Sequence, residues 1–441
     1  MKDSLPDIAG RAGELALRSG AAEAAAGAYR SRHLELAWRD GKLERVTEAT
    51  TRGLGLELYV DGRYASVSTS DLRPEALERF VADSVALART LSPDPYRRLP
   101  DPALYLGQPE VDLDLEDPGY GAVDSGMRRD RARAVEEAAR AVPGAGAILS
   151  VTAGVSDSQS ESALYHSNGF QGSRRTTDFW VSAEVTVRDP DGRRPEEYAS
   201  SGARHLAEVE PPEQVGRRAA ERALSRIGAV KGPSAVAKVA VEPRAAGRLV
   251  SALFAPLAAA SLQQKRSFLE GRLGEEVGSK LLEVRDDPLL RRGLGSRRHD
   301  GEGLPARGFP VFEGGALRSF YIDTYYGRKL ALAPTTARIS NLSWRLGDRN
   351  SAALLAEMGE GVLITGFLGG NSNATTGDFS LGVRGFRVRG GQAREPLGEM
   401  NVSGNHLELW KRLGAVGNDP YRCSPMRTPT LVFDGVQIAG S

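Results

Sequence analysis

The stretch HLELAWRDGKLERVTEATTRGLGLELYVDGRYASVSTSD, residues 33–71, alternates apolar and polar side chains with period two. It is cut twice, by Asp40-Gly41 and Asp61-Gly62. Period two puts successive side chains on opposite faces of a strand. Asp-Gly between two such runs signals a hairpin, because both central turn residues need positive φ. Three consecutive antiparallel strands are predicted here.

On the N-terminal side, residues 8–27 are Ala-rich with apolar positions at helical spacing, which predicts a first helix. On the C-terminal side, Pro74 opens a helix to about Leu91, at a position where its missing N–H costs little. A Pro-rich connector (92–102) leads to a second helix over 126–142. Strand texture returns over 147–170 and 177–203, with Asp191-Gly192 as a turn, and a helix over 212–228 follows. Residues 1–230 thus read as an α+β domain, helices packed on an antiparallel sheet.

Residues 231–441 open with a strand (234–243) and a helix that includes LVSALFAPLAAASLQQK (249–265). Short strands follow, with turns expected at Gly314-Gly315, Gly369-Gly370, Gly390-Gly391 and Asp434-Gly435 and one short helix at 350–359. This half reads as a mostly antiparallel β domain with a few covering helices.

The whole chain, 441 residues, exceeds one ordinary domain. Its hydrophobic fraction of 40% and charged fraction of 26% are those of a globular protein. Fifty-eight basic against 57 acidic residues give a formal charge of +1, so neither a nucleic acid nor a membrane surface is expected as partner. No apolar run reaches the roughly 18 residues of a membrane span, and Asp3 and Asp7 interrupt the N-terminus where a signal peptide would be apolar. With one cysteine, Cys423, no internal disulfide can form, and a cytoplasmic location is expected.

The nucleotide signatures G-x-x-x-x-G-K-[ST] and G-x-G-x-x-G and the nucleophile elbow G-x-S-x-G are absent. No two of the five histidines lie three or four residues apart, so no helix offers two imidazoles to a metal. In RRHDGEGLPARG, His299, Asp300 and Glu302 could hold a cation or supply a general base, or simply form an acidic turn. Cys423 is either a thiolate ligand or nucleophile, or an inert thiol. His299, Glu302 and Cys423, with His406 as a further member, therefore form an alternative site.

The segment GFLGGNSNATTGDFSLGVRGFRVRGG (366–391) is more distinctive. Its small and amide residues, Gly369, Gly370, Asn371, Asn373, Thr376, Gly377, Asp378 and Ser380, let another backbone approach and find hydrogen bonds. The segment is a candidate peptide groove, receiving an extended chain as an added strand. The same residues also suit a β-connection held by Asx turns.

The order RSFLEGRLGEEVGS, DDP, GLGSRRHDGEGLPARGFPVFEGGALRSFYIDTYYGRKL, GGNSNATTGDFSLGVRGF, SGNHLELWKRLGAVGNDP and SPMRTPTLVFDGVQIAGS resembles the TldD/PmbA family, the modulators of DNA gyrase. It is most similar to the PmbA (TldE) branch. The resemblance implies a cytoplasmic metallopeptidase in which a TldD chain and a TldE chain pair. It further implies that zinc sits in the TldD chain, on an H-E-x-x-x-H helix just before the equivalent of RSFLEGRLGEE. Here that helix is LVSALFAPLAAASLQQK, with no carboxylate between Glu242 and Glu270 and no imidazole between His205 and His299. Cys423 is followed by Ser424-Pro425-Met426 instead of the TldD-branch C-G-K context. The expectation is a chain without catalytic or metal residues of its own, whose zinc resides in a TldD-like partner and whose substrate is a peptide. The second reading is a homodimer that binds peptides without cutting them.

Overall fold

The computed structural model describes residues 4–440. The chain starts with helix α1 (Leu5–Arg18), whose N-cap Ser4 and Asp7 form a reciprocal capping box. Three strands follow, β1 (Glu23–Arg39), β2 (Lys42–Val60) and β3 (Arg63–Thr69), then α2 (Pro74–Ala88) and α3 (Ser125–Arg140). Strands β4 (Ile148–His166), β5 (Gln171–Val187) and β6 (Glu196–Ala203) lead into α4 (Pro212–Leu224). All six strands form one antiparallel sheet in the order β3-β2-β1-β4-β5-β6.

The predicted helix over 8–27 is corrected by this sheet. Helix α1 stops at Arg18, Gly20 takes φ +101°, and the alanines from position 24 onward are strand. Strand β1 pairs with β2 on one side and β4 on the other, so its backbone is satisfied on both edges. That pairing outweighs the helix propensity of alanine. The small side chains have a packing role as well. Ala24, Ala26 and Ala28 share a face with Leu34 and Leu36, the first three under α1 and α2, the last against the α3 and α4 cluster. Both helix pairs therefore cover the same face of the sheet, at opposite ends of its long strands.

The second half comprises β7 (Ala235–Val241), α5 (Pro243–Phe254), α6 (Ala259–Gln263), β8 (Val284–Asp286), β9 (Phe309–Glu313), β10 (Ala316–Leu317) and α7 (Thr324–Leu330). It continues with β11 (Leu342–Trp344), α8 (Ser351–Met358), β12 (Gly361–Ser372), β13 (Asp378–Arg389), β14 (Gln392–Asn405), α9 (His406–Lys411), β15 (Leu413–Val416) and β16 (Leu431–Ala439). A small sheet runs β10-β9-β8-β11 and a larger one β14-β13-β12-β7-β16-β15. A further pairing of Asn401 with Ala439 and Val402 with Ile438 joins β14 to β16 and closes the larger sheet on itself. Only β7 and β12 run parallel within it. The fold is thus α+β with antiparallel sheets and a β-rich C-terminal part.

Two expected turns are not turns. Gly369-Gly370 lies within β12 at a register shift after Phe367, and the chain reverses four residues later. Asp434-Gly435 is a bulge inside β16, between Phe433 and Val436. In both places the extra residue is absorbed by the strand, which bends without ending. The helix expected from Leu249 starts earlier, at Pro243, and is broken at Pro256 by a short 3-10 turn before α6.

Candidate functional site

Helix α5 packs Ala246, Leu249, Val250 and Leu253 into the C-terminal core. Its opposite stripe carries Arg244, Gly247, Arg248 and Ser251, spaced at helical intervals. This stripe faces strand β12. The neighbouring strand β7 pairs with β12 only over Val362–Ile364, so the following residues of β12 have a partner strand on the β13 side alone. Two guanidiniums cap the free edge. Arg244 donates to the Thr365 carbonyl at 3.3 Å and Arg248 to the Gly370 carbonyl at 3.4 Å. Long basic side chains are a common cover for an unpaired edge. A cavity of about 430 Å³ opens between them, lined by Tyr198, Gly247, Thr365, Phe367 and Gly369 as well as the two arginines.

Ion pairs fix the frame of this groove. Glu197, 2% exposed, meets Arg244 at 3.2 Å and Arg384 at 3.0 Å. Glu242 meets Arg222 at 2.9 Å and Arg244 at 3.2 Å. Arg244 also lies 4.1 Å over the ring of Tyr198.

The predicted loop residues lie at the end of β12 and the start of β13. Gly369 and Gly370 have φ of +135° and +97°. A Cβ on Gly370 would lie 2.1 Å from the Ser380 carbonyl oxygen, so the cross-strand approach requires glycine. Asn371 pairs with Ser380, whose hydroxyl bonds the Asn401 amide group at 3.3 Å. At the reversal, Asn373 Oδ1 accepts from the Thr375 N–H at 2.9 Å, an Asx turn. Gly377 follows at φ +83°. The Thr376 hydroxyl donates to Asp378 at 2.7 Å, and Asn405 Nδ2 donates to the Thr376 carbonyl and to Asp378 at 3.0 and 2.9 Å.

Two residues outside the segment pin its tip. Phe268 N–H donates to the Ala374 carbonyl, and the N–H of His406 to the Gly377 carbonyl. The His406 ring stacks on Phe268 and bonds the Ser372 hydroxyl through Nε2 at 2.7 Å. Burial pushes its pKa down to about 4, so the imidazole is neutral near pH 7.

The alternative residues do not converge. The His299 ring packs edge-on against Phe170 and beside Gly172, with Nδ1 3.0 Å from the Asp300 carbonyl. Glu302 accepts from the Thr324 hydroxyl at 2.6 Å and backbone N–H at 2.9 Å. Burial pushes its pKa up to about 7. Cys423 Sγ accepts from the Gly202 N–H at 3.4 Å, and Gly202 pairs with Trp180. Trp180 and Gly172 are eight residues apart on β5, or about 26 Å at 3.3 Å per residue. Among the described residues, no group of three or more His, Cys, Asp or Glu side chains could hold a metal ion.

Sequence reasoning missed Tyr198, Arg244, Arg248, Phe268 and Arg384 as parts of the groove. The only local signal was Arg244 and Arg248 at i and i+4 after Pro243, on the polar stripe of an otherwise apolar helix.

Three family models match almost end to end. The PmbA/TldA metallopeptidase domain 1 covers residues 24–88, the central domain 121–227 and the C-terminal domain 234–440. A solved structure from Bacteroides thetaiotaomicron, named for a modulator of DNA gyrase, shares 36% identity over 98% of each chain, with a TM-score of 0.95. The chain belongs to the PmbA/TldD metallopeptidase family. The metalloprotease PmbA of Escherichia coli O157:H7 is 29% identical over 92% of this chain and 90% of its own length. The TldE structure from Thermococcus kodakarensis, at 20% identity, TM-score 0.87 and coverage of 98% and 100%, is alike in fold.

A family of metallopeptidases implies a metal, and the donors on α5 do not fit one. The chain's own tail crosses that helix. The Thr428 hydroxyl donates to the Pro243 carbonyl, and Ser251 meets the Met426 thioether at 3.5 Å. A hydroxyl, a thioether and Gly247 offer neither the imidazole nor the carboxylate that zinc requires. Helix α5 of this chain therefore supplies no zinc ligand set.

Proposed function

We propose that this chain is a TldE-like, non-catalytic subunit of a cytoplasmic TldD/TldE-type zinc metallopeptidase. In this reading a TldD-like partner holds the zinc, and this chain supplies part of the wall of the peptide chamber. The observation that carries it is the pairing of an α5 stripe without metal donors and a glycine-rich, one-sided strand beside it. The free edge of β12 offers backbone groups to an extended peptide, which would displace the capping bonds of Arg244 and Arg248 and add as a strand. Such an addition aligns a peptide by its main chain and tolerates many side chains. Alignment and exclusion of water raise the rate at a metal supplied by another chain.

The test is co-expression of the tagged chain with a TldD-like chain bearing H-E-x-x-x-H, followed by zinc analysis and a peptide-cleavage assay of the eluate. The expected result is a one-to-one complex that cleaves, while the single chain is inert and holds no zinc. Stoichiometric zinc in the purified single chain would overturn the reading. No association, with peptide binding by a homodimer, would favour the stand-alone binder instead.

A further inference from the structure

A cleft of about 1350 Å³ lies at the opposite end of β5 from the groove. Gly172 lines this cleft, whereas Tyr198 in the groove pairs with Glu184. Twelve residues of strand separate the two, about 40 Å. The cleft is therefore a separate site and not an extension of the groove.

Its walls carry opposite charge. One wall is the connector with Glu110, Asp112 and Glu116, and the other carries Arg174, Arg297 and Arg298. Arg297 is held by backbone, donating to the Ile339 carbonyl at 3.1 Å and also to the Arg338 carbonyl. Arg204 lies behind, donating to the carbonyls of Thr177 and Leu294. Arg174 differs from both. Among the described residues it has no hydrogen-bond acceptor and no ion pair. The charges acting on it are the guanidiniums of Arg204 and Arg297, which, after burial, pull its pKa down to about 10. It remains charged near neutral pH, half-buried, among like charges. A charge partly withdrawn from water in that state is costly unless an opposite charge completes it.

We infer that the basic wall of this cleft is a carboxylate site that takes the free C-terminus of a short peptide, with Arg174 as its fork. A guanidinium matches a carboxylate bidentately, and Arg297 and Arg298 add positive potential around it. The acidic wall suits the ammonium at the other end of such a peptide. The cleft exceeds the ~300–1,000 Å³ of drug-sized ligand sites, which leaves room for several residues. Hydrolysis of a peptide bond yields one new carboxylate and one new amine, so this chemistry fits the short products of a peptidase. In that respect the inference rests on the proposed function.

The experiment is calorimetric titration of the full chain with three probes: tri-alanine with a free carboxylate, its C-terminal amide, and inorganic phosphate. The expected result is that the free acid binds at least ~10-fold tighter than the amide and that Arg174→Gln abolishes this preference. Arg174→Gln removes an unpaired charge, so its melting temperature should equal or exceed the parent's, which separates loss of binding from loss of fold. Equal affinity for acid and amide, an unchanged preference in Arg174→Gln, or binding of phosphate alone would overturn the assignment. The two readings fail separately. A complex that cleaves peptides but does not distinguish acid from amide removes only the carboxylate site. A carboxylate preference in a chain that joins no partner removes only the subunit reading.

Discussion

Beside β12, buried acids and bases neutralise one another: Glu197 lies between Arg244 and Arg384, and Glu242 between Arg222 and Arg244. Around residues 297–302 the opposite holds. Arg174 has no carboxylate partner among the described residues, and Glu302 is bonded by a hydroxyl and an N–H, with no guanidinium bonded to it. The first arrangement holds a frame rigid, since each charge is fixed by its counterpart. The second leaves half-buried charges of both signs without a counter-charge, and such charges mark sites where a ligand or a proton completes the balance. The contrast separates structural charge from charge available for binding.

The largest effect should come from breaking the frame. Glu197→Ala strands Arg244 and Arg384 with one shared partner gone, and removing one member of a buried ion pair costs about 3–5 kcal/mol. Chemical denaturation should show a loss of that order. A loss below about 1 kcal/mol would mean that water reaches both guanidiniums and that the groove charges are not a frame.

The next effect is a pH dependence of opposite origin. Glu302 has its pKa raised from 4.5 to about 7 by burial, with Asp300 and Asp323 adding to the rise and the Thr324 bonds opposing it. Its folded state holds a proton that the unfolded state has released. The contribution is fully present below pH 4.5 and is lost as pH rises to about 7, a change of about 3 kcal/mol. His166 and His406, pushed down to about 4 by burial, act in the other direction, losing stability as pH falls below 6.5. Comparison with Glu302→Gln isolates the first term. The stability of the parent relative to this variant should fall between pH 4.5 and 7, and a flat difference would show that Glu302 is ionised throughout.

Much of the backbone plan was legible in the sequence, and the charge plan was not. The two Asp-Gly turns and the period-two runs located the strands from 33 to 69 because hairpin chemistry is local. The run from Ala21 to Ala26 reads as helix because pairing on both edges of β1 is a tertiary fact. At Gly369-Gly370 the composition of a turn and of a bulge is the same, and the cross-strand contact with Ser380 decides between them. Small size and amide side chains mark the candidate groove residues and locate the hairpin, but they do not point to the arginines that cap its edge. Arg244 reaches Glu197 across 47 positions, and no spacing rule relates them. The unpaired state of Arg174 is still less visible, since it is defined by what the fold keeps away.

The smallest of these effects sharpens the contrast inside the groove, where backbone rather than charge sets the geometry. Gly369 and Gly370 are adjacent and both have positive φ, but a Cβ on Gly369 meets nothing within 4 Å, whereas one on Gly370 meets the Ser380 carbonyl. Gly369→Ala thus adds conformational strain alone, about 1 kcal/mol. Gly370→Ala adds strain and a steric clash, about 1–3 kcal/mol, and must push β13 away to be accommodated. Denaturation midpoints of the two variants rank the terms. If β12 receives a peptide on its free edge, Gly370→Ala should also slow cleavage by the assembled complex more than Gly369→Ala does. Equal stability and equal turnover in the pair would mean that the approach of β12 to β13 is loose, and that the strand edge is not shaped closely enough to align a peptide.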